Sequence, residues 1–266
     1  MCGISGILKK KHTKIDLNKS IFNILKIQNH RGPDLSNSIK VNDNLILGHN
    51  RLSIQDLSDN GNQPMFSKSK NLLITFNGEI YNHQKLRNKI NNQIWNSSGD
   101  TETIVNLFDK YGIIKSLDLI EGMFAFAYYD KKINKIYLAI DRFGEKPLYY
   151  YKDENIFAFS SEIYPLTQIE GFDKKLNENS ILNFLKYSYI AAPYSIYEKI
   201  SKVEAGSFLE IDINNFHSGL EYIKVHRWTQ LFEIVKSSKK NIIKNFNEAK
   251  YELEEKLSDS VKKQMI

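Results

Sequence analysis

Short runs of β-branched and aromatic residues, each stopped by Gly, Asn or Asp, recur along the first two thirds of this chain, and their spacing restricts the fold more than any other feature. The runs are NLILGHNRLSI (44–54), NLLITFNG (71–78), MFAFAYYD (123–130), KIYLAIDRFG (135–144), PLYYYK (147–152) and IFAFSSE (156–162). Helical patterns, with apolar residues three or four apart, lie at 17–28, 81–91 and 101–112. A parallel sheet needs a crossover of a dozen or more residues between every pair of strands, and these strands are not regularly separated in that way. The pattern therefore predicts antiparallel sheets covered by helices, an α+β chain rather than a doubly wound one. Past residue 171 come a helix at 177–190, a strand at 207–213 and an amphipathic helix over 245–266.

Composition sets the class. With 41% hydrophobic residues in 266, the chain can bury a large core. Its longest apolar run, GMFAFAYY, falls far short of the roughly 20 residues that span a bilayer. The lysines at 9–11 follow the first apolar residues instead of preceding them, so no secretion signal is visible. A soluble, cytoplasmic protein is expected, and the single Cys, which cannot form an internal disulfide, fits a reducing compartment. The net charge of +6 is scattered among Asn and Ile, not gathered into a stripe, which argues against nucleic acid as a partner. The six histidines lack ligand spacing, and neither a phosphate-binding P-loop nor a G-x-S-x-G elbow occurs, so zinc, P-loop and serine-hydrolase chemistry are poor readings and no metal is expected. No repeat of solenoid period is present.

The lone thiol lies in MCGISGIL, directly behind the initiator Met. Removal of Met1 would leave Cys2 with a free α-amine. The reference pKa of such an amine, about 7.7–8.0, lies near the thiol's roughly 8.5, so one residue could carry nucleophile and proton acceptor together. Gly3 and Gly6 would let backbone and substrate approach closely. The bland alternative is an exposed cysteine in a frayed terminus. In LLITFNGEIYN, Asn77-Gly78 is ordinarily a hairpin signal, but a helical pattern follows it. A strand running through Asn-Gly into a helix start would leave backbone N–H groups and the Asn77 amide pointing outward, the equipment of an oxyanion hole; an ordinary surface turn is the alternative. Arg51 could grip a carboxylate with its planar fork or lie in solvent on an edge strand. Asp100 in SSGDTETIV is placed to cap a helix, and could instead bind an ammonium. NHRGPD (29–34) has the form of a helix stop, and DRFGEKPLYY (141–150) that of a hairpin loop bent at Gly144.

Cys-Gly-Ile at the start, then NHRGPD, RLSIQD, GNQPM, FNGEIYN, GDTE, EGMFAFAYYD, DRFGEKPLYY and SSEI, occur in one order. That ordered set resembles the glutaminase half of the glutamine-hydrolysing asparagine synthetases, densely from Cys2 to about Glu162 and more loosely to Ile266. The resemblance implies a class II glutamine amidotransferase domain with the N-terminal nucleophile fold, a four-layer αββα sandwich of two antiparallel sheets. It implies a glutaminase domain over 2–213, then a connector and the first helix of a synthetase domain over 214–266. By the same matching Cys2 would attack the amide of L-glutamine, and Asn77 with the N–H of Gly78 would hold the oxyanion. Arg51 would take the α-carboxylate and Asp100 the α-ammonium, while Ile54 and Glu79 complete the pocket. The glutaminase step needs no cofactor. In the full-length family ATP and magnesium activate L-aspartate in a second domain, whose Ser-Gly-Gly-Leu-Asp-Ser loop does not occur in this chain, and a homodimer is compatible with the likeness. Departures from the family pattern are Asn50 where His or Arg is frequent, Gln55 where an aliphatic residue is usual, and VEAGSF where a Pro-containing turn is common. Rival readings are the glutaminase domain of an amidotransferase making glucosamine phosphate or phosphoribosylamine, an asparagine-synthetase-like enzyme of polysaccharide or secondary metabolism with another acceptor, and a non-catalytic binding module that keeps the fold.

Overall fold

The computed structural model describes residues 1–90, 94–229, 231–240 and 242–265. In chain order the strands are β1 (Gly3–Lys9), β2 (Leu35–Asn42), β3 (Leu45–Arg51), β4 (Met65–Phe66), β5 (Leu72–Ile80), β6 (Gly122–Asp130), β7 (Lys135–Ile140), β8 (Tyr149–Lys152), β9 (Ile156–Ser160), β10 (Ile200–Lys202), β11 (Ser207–Asp212) and β12 (Ile223–Arg227). The helices are α1 (Leu17–Ile27), α2 (His83–Lys89), α3 (Asp100–Tyr111), α4 (Ile113–Leu119), α5 (Ile163–Leu166), α6 (Glu178–Tyr187), α7 (Ile213–Ser218), α8 (Leu231–Ser238) and α9 (Phe246–Gln264). Two six-stranded sheets form, in the orders β10-β8-β9-β1-β3-β2 and β12-β11-β7-β6-β5-β4. Their strand pairings are antiparallel throughout. The antiparallel α+β architecture expected from the strand spacing is the one found.

Three apolar clusters make the layers. Alternation along β1 sends Ile4 and Leu8 into the core between the sheets, with Leu73 of β5 and Leu138 of β7, and sends Ile7 into a second core under α1. The third core lies beyond the other sheet, where Ile74, Phe76 and Phe126 meet Ile104, Leu107 and Phe108 of α3. Helix, sheet, sheet, helix is the resulting order, and the stack buries β1 and β3 on both faces, their polar residues Ser5, His49, Asn50 and Arg51 included.

Local chemistry sets the helix ends. Asp16 caps α1 by accepting from the N–H groups of Asn18 and Lys19, and Asn245 does the same for α9 with Asn247 and Glu248. The expected helix at 81–91 is found over His83–Lys89, and its last expected residue lies outside those described. The C-terminal helix ends at Gln264, its apolar residues Leu253, Leu257 and Val261 exposed. Lys263 ties it to the body through Glu121, 3.0 Å away. Among the described residues no helix is long and apolar enough to cross a membrane.

One expectation changes in a way that matters for the site. DRFGEKPLYY is not a hairpin loop: β7 belongs to one sheet and β8 to the other, so the loop crosses between layers. The buried Asp141 carboxylate gathers it by accepting from the N–H groups of Phe143, Glu145 and Lys146, with Gly144 at φ 70° making the bend.

Candidate active site

Cys2, Arg51, Ile54, Asn77, Gly78, Glu79 and Asp100, scattered over a hundred positions of sequence, line one cavity where the starts and ends of both sheets meet. Cys2 is half-buried immediately before β1, and its Sγ accepts from the Leu52 N–H at 3.4 Å. The motif NHRGPD, which locally has only the form of a helix stop, fixes this terminus. Arg31 Nε donates to the Cys2 carbonyl at 3.0 Å and the same guanidinium pairs with Glu162 at 3.0 Å. Asp34 accepts from the Ser53 N–H at 2.7 Å, steadying the segment that Cys2 leans on. A Cβ on Gly32 would collide with the Asn50 carbonyl oxygen, so the motif's glycine is set by close backbone approach.

Strand β5 aims the amide. Leu73, Thr75 and Asn77 alternate onto its inner face, where Thr75 donates to the Gly48 carbonyl of the opposing sheet at 3.0 Å. Asn77 therefore faces β1 across the sheets, and its Nδ2 is buried with no hydrogen-bond partner. The edge of β5 does the rest. β4 pairs only as far as Ile74, so beyond it the edge N–H groups find side chains: Phe76 N donates to Gln63 Oε1 at 2.7 Å and Ile80 N to Asp100 Oδ2 at 2.9 Å. Gly78 lies between them on the same edge, opposite Phe124, whose own N–H and C=O turn toward Asp141. Its N–H thus points into the cavity. The exposed donors arise from this open strand edge and not from a helix start, since β5 continues to Ile80 and α2 begins only at His83.

Gly78 also permits the close approach of β6, because a Cβ there would collide with the Met123 carbonyl oxygen and press on Phe124. Gly78→Ala is expected to cost about 1–3 kcal/mol, which thermal unfolding should register as a fall of several degrees; an unchanged melting temperature would show that the strands can yield.

The charges of the cavity are unequal. Asp100 is the first residue of α3 rather than its cap, which is Gly99, and its carboxyl is buried against the Ile80 N–H. Burial, helped by the nearby Glu79, raises it to about 7 despite hydrogen bonds from backbone N–H groups. Arg51 is buried inside the sheet, not exposed on an edge strand. Its guanidinium donates to Ser58 O at 2.9 Å, to Asn62 Oδ1 at 2.5 Å and to Asp56 O, holding the 56–62 loop as cavity wall and leaving two of its five N–H groups free of these partners. Burial raises the Cys2 thiol above its ordinary value. The Leu52 N–H, the terminal ammonium and Arg51 counter this, and Asp100 adds to it.

Other residues build the walls, and local patterns did not single them out. Asp56 accepts from Ser58 N and Oγ, Ser97 Oγ and Ser98 N; burial alone would push its carboxyl up, and these four bonds instead hold it well below the carboxylate range. Gln55 donates to Glu79 at 3.0 Å. Asn50 turns away from the cavity to donate to Leu25 O and Ser36 Oγ. His49 is a satisfied core histidine, its Nε2 3.1 Å from Phe76 O and its pKa pushed down to about 4 by burial.

A putative glutamine-hydrolysing asparagine synthetase of Methanocaldococcus jannaschii is 36% identical over 236 residues, covering 80% of this chain and 44% of that protein. Glutamine-hydrolysing asparagine synthetase 2 of Bacillus subtilis is 33% identical over 222 residues, covering 80% of this chain and 29% of its own length. The chain thus spans less than half the length of these relatives. The glutamine phosphoribosylpyrophosphate amidotransferase of B. subtilis shares the fold at a TM-score of 0.63 and 18% identity, over 86% of this chain and 50% of that one. The family model of the glutamine amidotransferase domain matches residues 1–223, and with this cavity at the junction of its two antiparallel sheets the chain belongs to the glutamine amidotransferase domain family.

Proposed function

We propose that the chain hydrolyses the side-chain amide of L-glutamine to glutamate and ammonia, with Cys2 as nucleophile once Met1 has been removed. The observation that carries this reading is the convergence, in one cavity, of an N-terminal thiol, the Asn77 Nδ2 and a buried carboxylate that have, among the described residues, no hydrogen-bond partner and no bonded cation respectively, and the inward Gly78 N–H. In the proposed sequence Sγ attacks the amide carbon while the Cys2 α-amine takes the thiol proton through a water. Asn77 and Gly78 donate to the oxyanion as it forms. The C–N bond breaks, the amine returns its proton to the leaving nitrogen, and ammonia departs. Water then adds to the thioester, the C–S bond breaks, and glutamate and the thiol are regenerated. Arg51 would offer its remaining N–H groups to the α-carboxylate, Asp100 would receive the α-ammonium, and Ile54 with Glu79 would close the sides.

Asp100 gives this reading a pH signature. A raised carboxyl favours the folded state at low pH and loses that contribution as pH climbs through about 7. Glutamine's ammonium needs the ionised form, so protons compete with substrate below about 7. For wild type, kcat/KM should fall below that pH more than kcat does, because saturating glutamine displaces the proton. Asp100→Asn should raise KM by about 100-fold and remove that limb. A variant with an unchanged KM would contradict the ammonium assignment. Stoichiometric release of ammonia and glutamate by the purified protein tests the whole proposal.

Residues 2–213 would form the glutaminase body, and 214–266 the connector and first helix of a following domain, with β12 carrying the connector along the sheet. By analogy with the relatives named as asparagine synthetases, the ammonia would amidate aspartyl-adenylate, a step requiring L-aspartate, ATP and magnesium. The residues of this cavity offer no Gly-rich cradle for a triphosphate, so that step would belong to another part of such a protein.

A further inference from the structure

Lys146 is a buried amine that the proposed chemistry leaves unused. The Asp141-centred loop carries it across from one sheet to the other and pins its backbone N–H at 3.2 Å, so its side chain enters the cavity wall with 8% of its surface exposed. Among the described residues no carboxylate lies within 4.0 Å of its Nζ, although buried lysines are normally paired. Its hydrogen-bond partner is the Met1 thioether, a weak acceptor, at 3.4 Å. A buried amine with no carboxylate beside it among the described residues has therefore been placed against the side chain of the residue whose removal creates the Cys2 α-amine. Cys2 Sγ is itself bracketed by the N–H and carbonyl of Leu52.

We propose that Lys146 is a positioning residue that keeps the α-amine of the trimmed chain neutral and able to accept a proton. A cation within several ångströms in a poorly solvated wall disfavours a second ammonium beside it. Other charges surround the terminus. Arg31 reaches the Cys2 carbonyl but is neutralised by Glu162, which His30 also contacts. Arg51, held by neutral oxygens of the 56–62 loop, keeps its charge and is a second cation near Cys2. Asp141 and Asp56 are further carboxylates, stabilised as anions by backbone N–H groups and by serines. Glu79, Asp100 and Glu145 act in the opposite sense, favouring an ammonium, and Tyr81, raised by burial and by Glu145, Glu79 and Asp141, stays uncharged. Lys146, together with Arg51, counters these acids.

The inference rests on the glutaminase reading for its purpose, but its test does not need turnover. In a Cys2→Ala background trimmed of Met1, the pH dependence of α-amine acylation, followed by mass spectrometry, reports the amine directly. Lys146→Met should move its midpoint up by about 0.5–1 pH unit, and Lys146→Arg should leave it in place. In the Cys2 protein, Lys146→Met should then lose about 3- to 10-fold in kcat at pH 6.5 and recover at pH 9. An unmoved amine midpoint, a shift equally large in the arginine variant, or a kcat loss equal at all pH values would overturn the proposal. A shifted amine in a protein that releases no ammonia would uphold the electrostatic role and reject the glutaminase reading alone.

Discussion

Cys2→Ala should abolish ammonia release from glutamine, by at least about 10⁴-fold in kcat, while the melting temperature stays within about 4 °C of wild type. The asymmetry follows from where the residue sits. Cys2 precedes β1 and adds nothing to the sheet ladder, whose first pair is Gly3 with Asn50. Its carbonyl, which Arg31 grips, survives the substitution. Sulfur is thus dispensable for folding and indispensable for forming a thioester. Equal ammonia release from the two proteins, measured side by side, would remove Cys2 from the reaction.

Asn77→Ala should show activity and stability moving in opposite directions. Asn77 is 2% exposed, and its Nδ2 is buried without a partner. A buried unsatisfied donor costs about 1–3 kcal/mol, so deleting it should leave stability unchanged or improved in spite of the small void. In the proposed transition state the same N–H would meet an oxyanion, and its loss should lower kcat by about 10²–10³-fold with KM altered only a few-fold. A structural asparagine would behave in the reverse way, losing melting temperature and activity together. Steady-state kinetics and thermal unfolding on one preparation separate the two.

The sequence pattern reports some of this architecture well and some of it not at all, for physical reasons. The runs of β-branched and aromatic residues along 44–54, 71–78 and 123–130 are imposed by strands buried between layers, so β3, β5 and β6 are visible as strands in the sequence. Which sheet a strand joins depends on contacts distant in sequence, and for that reason the link from β7 to β8 has the local form of a hairpin when it is a crossing. Asp100 satisfies the statistical profile of a cap, yet Ile80, twenty residues earlier, claims its carboxylate. Arg51 has the look of a ligand-gripping side chain, and the structure adds that most of its fork holds the wall in place. Arg31, Asp34 and Lys146 lie in motifs that the ordered resemblance highlights, but only the folded chain shows Arg31 on the Cys2 carbonyl, Asp34 on the Ser53 N–H and Lys146 on the Met1 thioether.

The proposed hydrolysis depends on a trimmed terminus whose one residue supplies sulfur and base. It is tested most directly by incubating the protein with a glutamine-shaped electrophile, a γ-chloroketone or diazoketone analogue, and mapping the product by mass spectrometry. The prediction is one adduct per chain, on the sulfur of a peptide that begins at Cys2, with formation blocked by glutamine. A chain that hydrolyses glutamine while retaining Met1, or that takes the adduct at another residue, would contradict it.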